Sequence, residues 1–117
     1  MINEGGKIMY NKVDKFKEIV DEMLDLYQRK QSDYGDSAAK TFDEYGLVSF
    51  LVRIEDKLNR VSTLTKKSST EQQVKDEKIE DTLLDLANYS IMALIELDRV
   101  KSELTCEMSV DNNEYRR

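Results

Sequence analysis

The stretch that decides the fold runs from Asp76 to Glu103, DEKIEDTLLDLANYSIMALIELDRVKSE. At about 100° per residue Ile79, Leu83, Leu86, Ala87, Ile91, Leu94 and Leu97 share one face, which predicts a long amphipathic helix over 76–104 with that face in the core. Along one edge of the face, Glu77, Asp81, Asp85 and Asn88 follow the i, i+4, i+8, i+11 spacing that stacks side chains on a helix. Three formal negative charges beside a core face are costly unless a cation neutralises them. The candidates are a divalent metal, or arginine and lysine from a neighbouring helix.

Upstream, Leu47, Val48, Phe50, Leu51, Ile54, Leu58, Val61 and Leu64 repeat at the helical period and predict a helix over 47–64. Arg53, Lys57 and Arg60 flank it at i, i+4, i+7, with Asp56 among them. Between these two helices TKKSSTEQQVK, residues 65–75, holds one apolar residue in eleven and is expected to be a loop, with Thr70 and Gln73 a candidate capping box for an earlier start of the last helix. Further back, Val13, Phe16, Ile19, Val20, Met23, Leu24, Leu26 and Tyr27 mark a first helix over 12–31. The polar turn Gln31 to Ser37, with Gly35, breaks it; Asp36 or Ser37 then caps a short helix over 37–45 that Gly46 closes. The expectation is an all-α fold, a single small helical bundle of about four helices occupying 12–105. Residues 1–11, with Gly5-Gly6, read as a flexible lead-in, and 106–117 as a frayed tail.

Composition agrees with this reading and narrows the chemistry. The chain of 117 residues has no proline, four glycines and 36% charged residues, which favours helix throughout. A net charge of −6 argues against general nucleic-acid binding. No apolar run is long enough to span a bilayer, and the N-terminus lacks the apolar core of a secretory signal, so a cytoplasmic protein without a membrane partner is expected. The single cysteine, Cys106, reads as a free thiol in a polar segment. Histidine is absent, which removes Ser-His-Asp and Cys-His nucleophiles and the usual zinc sites. Any metal would be a hard cation on carboxylates, magnesium or manganese.

The acidic and basic lines lend themselves to two readings. In one they pair as interhelical salt bridges at the rim of a bundle and need no ligand. In the other Arg53, Lys57 and Arg60 hold phosphate oxygens while Glu77, Asp81 and Asp85 hold a divalent cation bridging the same phosphates. Tyr34, beside the polar turn, and Asp36 and Asn88 complete the candidate ligand set, with Tyr34 or Asn88 contacting a base or sugar. No catalytic residue is singled out.

Several separated motifs also carry a resemblance. Asp33-Tyr34-Gly35-Asp36-Ser37, Gly46, Arg53-Ile54-x-Asp56-Lys57-x-x-Arg60-x-x-x-Leu64, and Asp76-Glu77-x-x-x-Asp81-Thr82-x-x-Asp85-Leu86-x-Asn88-Tyr89 follow one another in an order that resembles the nucleotide modification associated domain 1 family. That resemblance covers residues 30 to 95 and implies a small helical phage or bacterial domain associated with nucleotide and DNA-base modification. A weaker similarity is to MazG-like all-α nucleoside triphosphate pyrophosphatases, with Asp21-Glu22-x-x-Asp25 in place of their first acidic motif. Glu77-x-x-x-Asp81 departs by one residue from their second, while Glu77-x-x-Glu80 keeps its interval; one residue turns a ligand by about 100° around a helix. The resemblance implies a protein that binds a phosphorylated nucleotide or, as an enzyme, a magnesium-dependent nucleotide pyrophosphohydrolase. The alternative is a non-enzymatic, phage-type interaction protein that sequesters a nucleotide signal or inhibits a host protein. The broad apolar face of the first helix makes a homo-oligomer an expectation in each case.

Overall fold

In the computed structural model, residues 6, 9–34, 36–66 and 69–116 are described, with side chains described for 6, 9–32, 36–66 and 79–106. Asn11 opens the first helix, α1 (Lys12–Tyr34): its Oδ1 accepts from the backbone N–H groups of Val13 at 3.0 Å and Asp14 at 3.1 Å. The helix runs three residues past the expected end at 31, because Ser32 and Asp33 lower helix propensity without forbidding it. The second helix, α2, spans Ser37–Tyr45 with Asp36 at its N-cap position, although the Asp36 side chain makes no capping hydrogen bond. Gly46 closes α2 with φ 72° and ψ −158°, and its N–H donates to the Phe42 carbonyl at 2.7 Å.

The third helix, α3, spans Val48–Thr65, and the fourth, α4, spans Ser69–Arg116. The long loop expected over 65–75 is therefore corrected. Ser, Thr, Glu, Gln and Lys are polar but tolerate helix well, and no glycine or proline interrupts them, so their polarity does not mark a break. At the other end α4 extends to Arg116, beyond the 104 to which apolar periodicity reaches. The all-α class is shown: four helices and no strand occur among the described residues. None of these helices is long and apolar enough to cross a membrane.

Two compact units are present, Met1–Gly35 and Asp36–Arg117. In the first, α1 buries Met23, half-buries Leu26 and Tyr27, and exposes Val13, Phe16 and Leu24. The second is built on α3 packed along α4, with α2 packed on α3. Its centre is Phe42 of α2, Phe50 of α3 and Ala93 of α4, with Ala38, Ile54, Tyr89 and Met92 packed around them. The two phenylalanine rings lie 6.0 Å apart at 46°, a tilted arrangement within the favourable range for aromatic pairs.

The buried face of α4 is not the one its periodicity indicates. Thr82, Asn88, Ala93 and Glu96 are buried, while Leu83, Ala87, Ile91, Leu94 and Leu97 are exposed. The helix is apolar on more than one side, so period alone could not choose between them. The choice falls to what α3 presents: Phe50, Ile54, Val61 and Leu64, with Lys57 between them, accommodate the side of α4 that carries both small and polar residues.

Candidate functional site

The sequence places Lys57 one turn from Ile54 on the packed side of α3, and Asp85 on the packed side of α4. The helices bring them together: Lys57 Nζ lies 3.1 Å from Asp85 Oδ2, with the two side chains 20% and 30% exposed. Each acidic residue on that face of α4 needed a positive partner, and Asp85 has found one in the basic line of α3. Neutralised and only partly dehydrated, the pair holds the middle of the α3–α4 seam without the full penalty of two buried isolated charges.

Arg53 and Arg60 stand on the same side of α3, four residues before and three after Lys57, and both are exposed. Neither makes an ion pair among the described residues, where the expected pairing of the basic line with the acidic line is seen at Lys57 and Asp85. Asp81 is exposed one turn before Asp85. Asn88, three residues beyond Asp85, is buried at 9% exposure, and its amide makes no hydrogen bond among the described residues. Asp36 is exposed at the head of α2. The side chains of Tyr34 and Glu77 lie outside the described residues. No group of three carboxylate or thiol side chains positioned to hold one metal ion occurs among the described residues.

A second polar cluster escaped the sequence reading. Arg99 of α4 donates from Nε to Glu96 Oε2 at 2.7 Å, from Nη1 to Glu103 Oε1 at 3.2 Å, and from Nη2 to Asp43 Oδ1 of α2 at 2.6 Å. These bonds, the one to Asp43 first, raise the Arg99 pKa above its ordinary value, so the guanidinium stays charged throughout the accessible pH range. The i, i+3 and i, i+4 intervals of Glu96, Arg99 and Glu103 were visible in the sequence; the link to Asp43, fifty-six residues away, was not. Glu96, at 6% exposure, owes its burial to this partner. The cluster ties α2 to α4.

The family model described as nucleotide modification associated domain 1 matches residues 30–97, which takes in all of α2 and α3 and the Asp81–Asp85–Asn88 line of α4. No curated protein and no solved structure matches the chain.

Proposed function

The chain belongs to the nucleotide modification associated domain 1 family, and from that premise we propose that it binds a phosphorylated nucleotide along the α3–α4 seam. The observation that carries this reading is the Lys57–Asp85 pair lying between two exposed arginines and beside a buried amide. Asp85 engages Lys57 from one side and leaves its other ammonium donors for an incoming phosphate. Arg53 and Arg60 add planar donor forks on either side, the geometry that grips phosphate in a bidentate manner. Asn88 offers one acceptor and two donors, the pattern suited to a base edge or a sugar hydroxyl.

Hydrolysis is the narrower form of the proposal, and it requires magnesium. Asp81 and Asp85, one turn apart on the same side of α4, are hard oxygen donors that fit this ion, which keeps several waters and needs only one or two carboxylates beside substrate phosphates. Glu77, one turn earlier, would be the third. A bound magnesium supplies charge neutralisation and an activated water. The residues of the chain would hold and orient the phosphates and stabilise charge on their oxygens.

The test is a thermal-shift and calorimetric screen of the protein against nucleotides and cyclic nucleotides, with and without magnesium. A nucleotide at a hundredfold above its dissociation constant should stabilise the fold by about 2.7 kcal/mol. Arg60→Ala should then weaken binding about tenfold or more, since a hydrogen bond to a charged group contributes about 1.5–3 kcal/mol. Asp81→Asn separates the two forms: a magnesium-dependent hydrolase loses turnover, whereas a metal-free binder retains its ligand or holds the anion more tightly. If the parent protein binds no nucleotide in the screen, the reading is wrong.

A further inference from the structure

The back of α4 carries a second seam. Leu83, Ala87, Ser90, Leu94 and Leu97 are separated by four, three, four and three residues, the interval at which one helix lies along another. All five are exposed, Leu83 at 47%, Leu94 at 65% and Leu97 at 45%, and Ile91 beside them is 42% exposed. At 100° per residue they stand roughly opposite the buried line of Thr82, Asn88 and Glu96. A helix that is apolar on both sides is suited to being covered on both.

We propose that this seam is closed by a second copy of the chain, the two α4 helices crossing antiparallel at Ala87 and Ser90. The side-chain sizes from Leu83 to Leu94 read large, small, small, large, and so read the same in either direction. A two-fold axis between Ala87 and Ser90 sets Leu83 of each copy against Leu94 of the other, and Ala87 against Ser90, which is the self-complementarity an isologous interface requires. The small pair at the crossing point lets the backbones approach. Ser90 adds no penalty there, because its Oγ already donates to the Leu86 carbonyl of its own helix at 3.0 Å.

Area favours the same occupant. The exposed parts of Leu83, Ile91, Leu94 and Leu97 amount to an apolar patch on the order of 400 Å², at the size that marks interaction surfaces, and two such patches with their flanks bury on the order of 1,000 Å², the lower bound of a specific interface. The seam lies on the side of α4 away from the Lys57–Asp85 pair, so the two-fold leaves both of those sites open. The proposal stands whether or not a nucleotide binds.

Sedimentation of the full chain across a concentration series should show a dimer, and Leu94→Glu should weaken self-association at least a hundredfold with helical circular dichroism unchanged. Register is read by cross-linking in a Cys106→Ser background: chains carrying Ala87→Cys mixed with chains carrying Ser90→Cys should form the disulfide-linked mixed dimer. A chain monomeric at every concentration overturns the proposal, whether the seam is bare or covered by another segment of the same chain. So does a dimer that Leu94→Glu leaves intact, or cross-linking only between like variants, which would mean parallel helices.

Discussion

Asn88 is one of three buried polar residues among the described residues. It lies in the α3–α4 seam at 9% exposure with no hydrogen bond to its amide among the described residues, next to an ion pair that already satisfies its own charges. No side-chain nitrogen or oxygen that is itself fully buried lacks a partner among the described residues, so the Asn88 amide carries no unsatisfied-group penalty, and an apolar group of similar shape can replace it at little cost. Asn88→Leu should therefore leave the urea-unfolding free energy within about 1 kcal/mol of the parent, or raise it, while weakening nucleotide binding by about tenfold or more. A fall in stability of about 1–3 kcal/mol with ligand affinity untouched would make Asn88 a structural residue instead. Lys57 and Asp85 differ from it in this respect, since each is the other's partner and losing either leaves a half-buried charge uncompensated.

At the scale of the helices, the turn between α2 and α3 rests on one glycine. Gly46 has φ 72° and ψ −158°, a combination essentially confined to glycine, and an added Cβ there would meet nothing within 4 Å. Gly46→Ala should thus cost about 1–3 kcal/mol from the backbone alone, measured by chemical denaturation, and enlarging neighbouring space should not rescue it. A cost near zero would show that the turn relaxes into another conformation. The position of this turn was legible in the sequence, because glycine after a short periodic segment has a specific stereochemical use. So were the four helices, from their 3.6-residue period, and the meeting of Lys57 with Asp85, from charge matching between lines on two core helices. The start of α4 at Ser69 was not legible, since a polar helix and a loop share the same composition and only the absence of a breaker distinguishes them. Nor was the buried side of α4: Leu83, Ile91 and Leu94 outweigh Thr82, Asn88 and Glu96 on any hydropathy scale, and what decides between the two sides is the surface of α3. The Asp43–Arg99 bond is a contact at long sequence separation, for which a single chain offers no periodic signal.

At the scale of the whole molecule, the small core bears on stability as much as on assembly. Among the described residues no large side chain is fully buried, and the buried apolar set of the second unit is Ala39, Phe42, Phe50, Leu64 and Ala93. With two alanines among five members, it gains less from removing apolar surface from water than a set of five large side chains would. Marginal stability of this kind is commonly supplemented by association, because any partner that binds only the folded form shifts the unfolding equilibrium by mass action. If α4 pairs with a second α4 through Leu83 and Leu94, burial of these residues becomes part of the folding free energy, and the melting temperature must rise with protein concentration. A hundredfold increase in concentration adds about 2.7 kcal/mol to a fully associated two-state dimer by the same mass-action relation, which in a domain of this size is a shift of several degrees. Leu94→Glu should lose the dependence and melt at one temperature at every concentration, below the parent's lowest value. Differential scanning calorimetry on both proteins decides the matter: a parent melting temperature independent of concentration means that each protomer folds on its own core, and that the apolar back of α4 contributes nothing to stability through self-association.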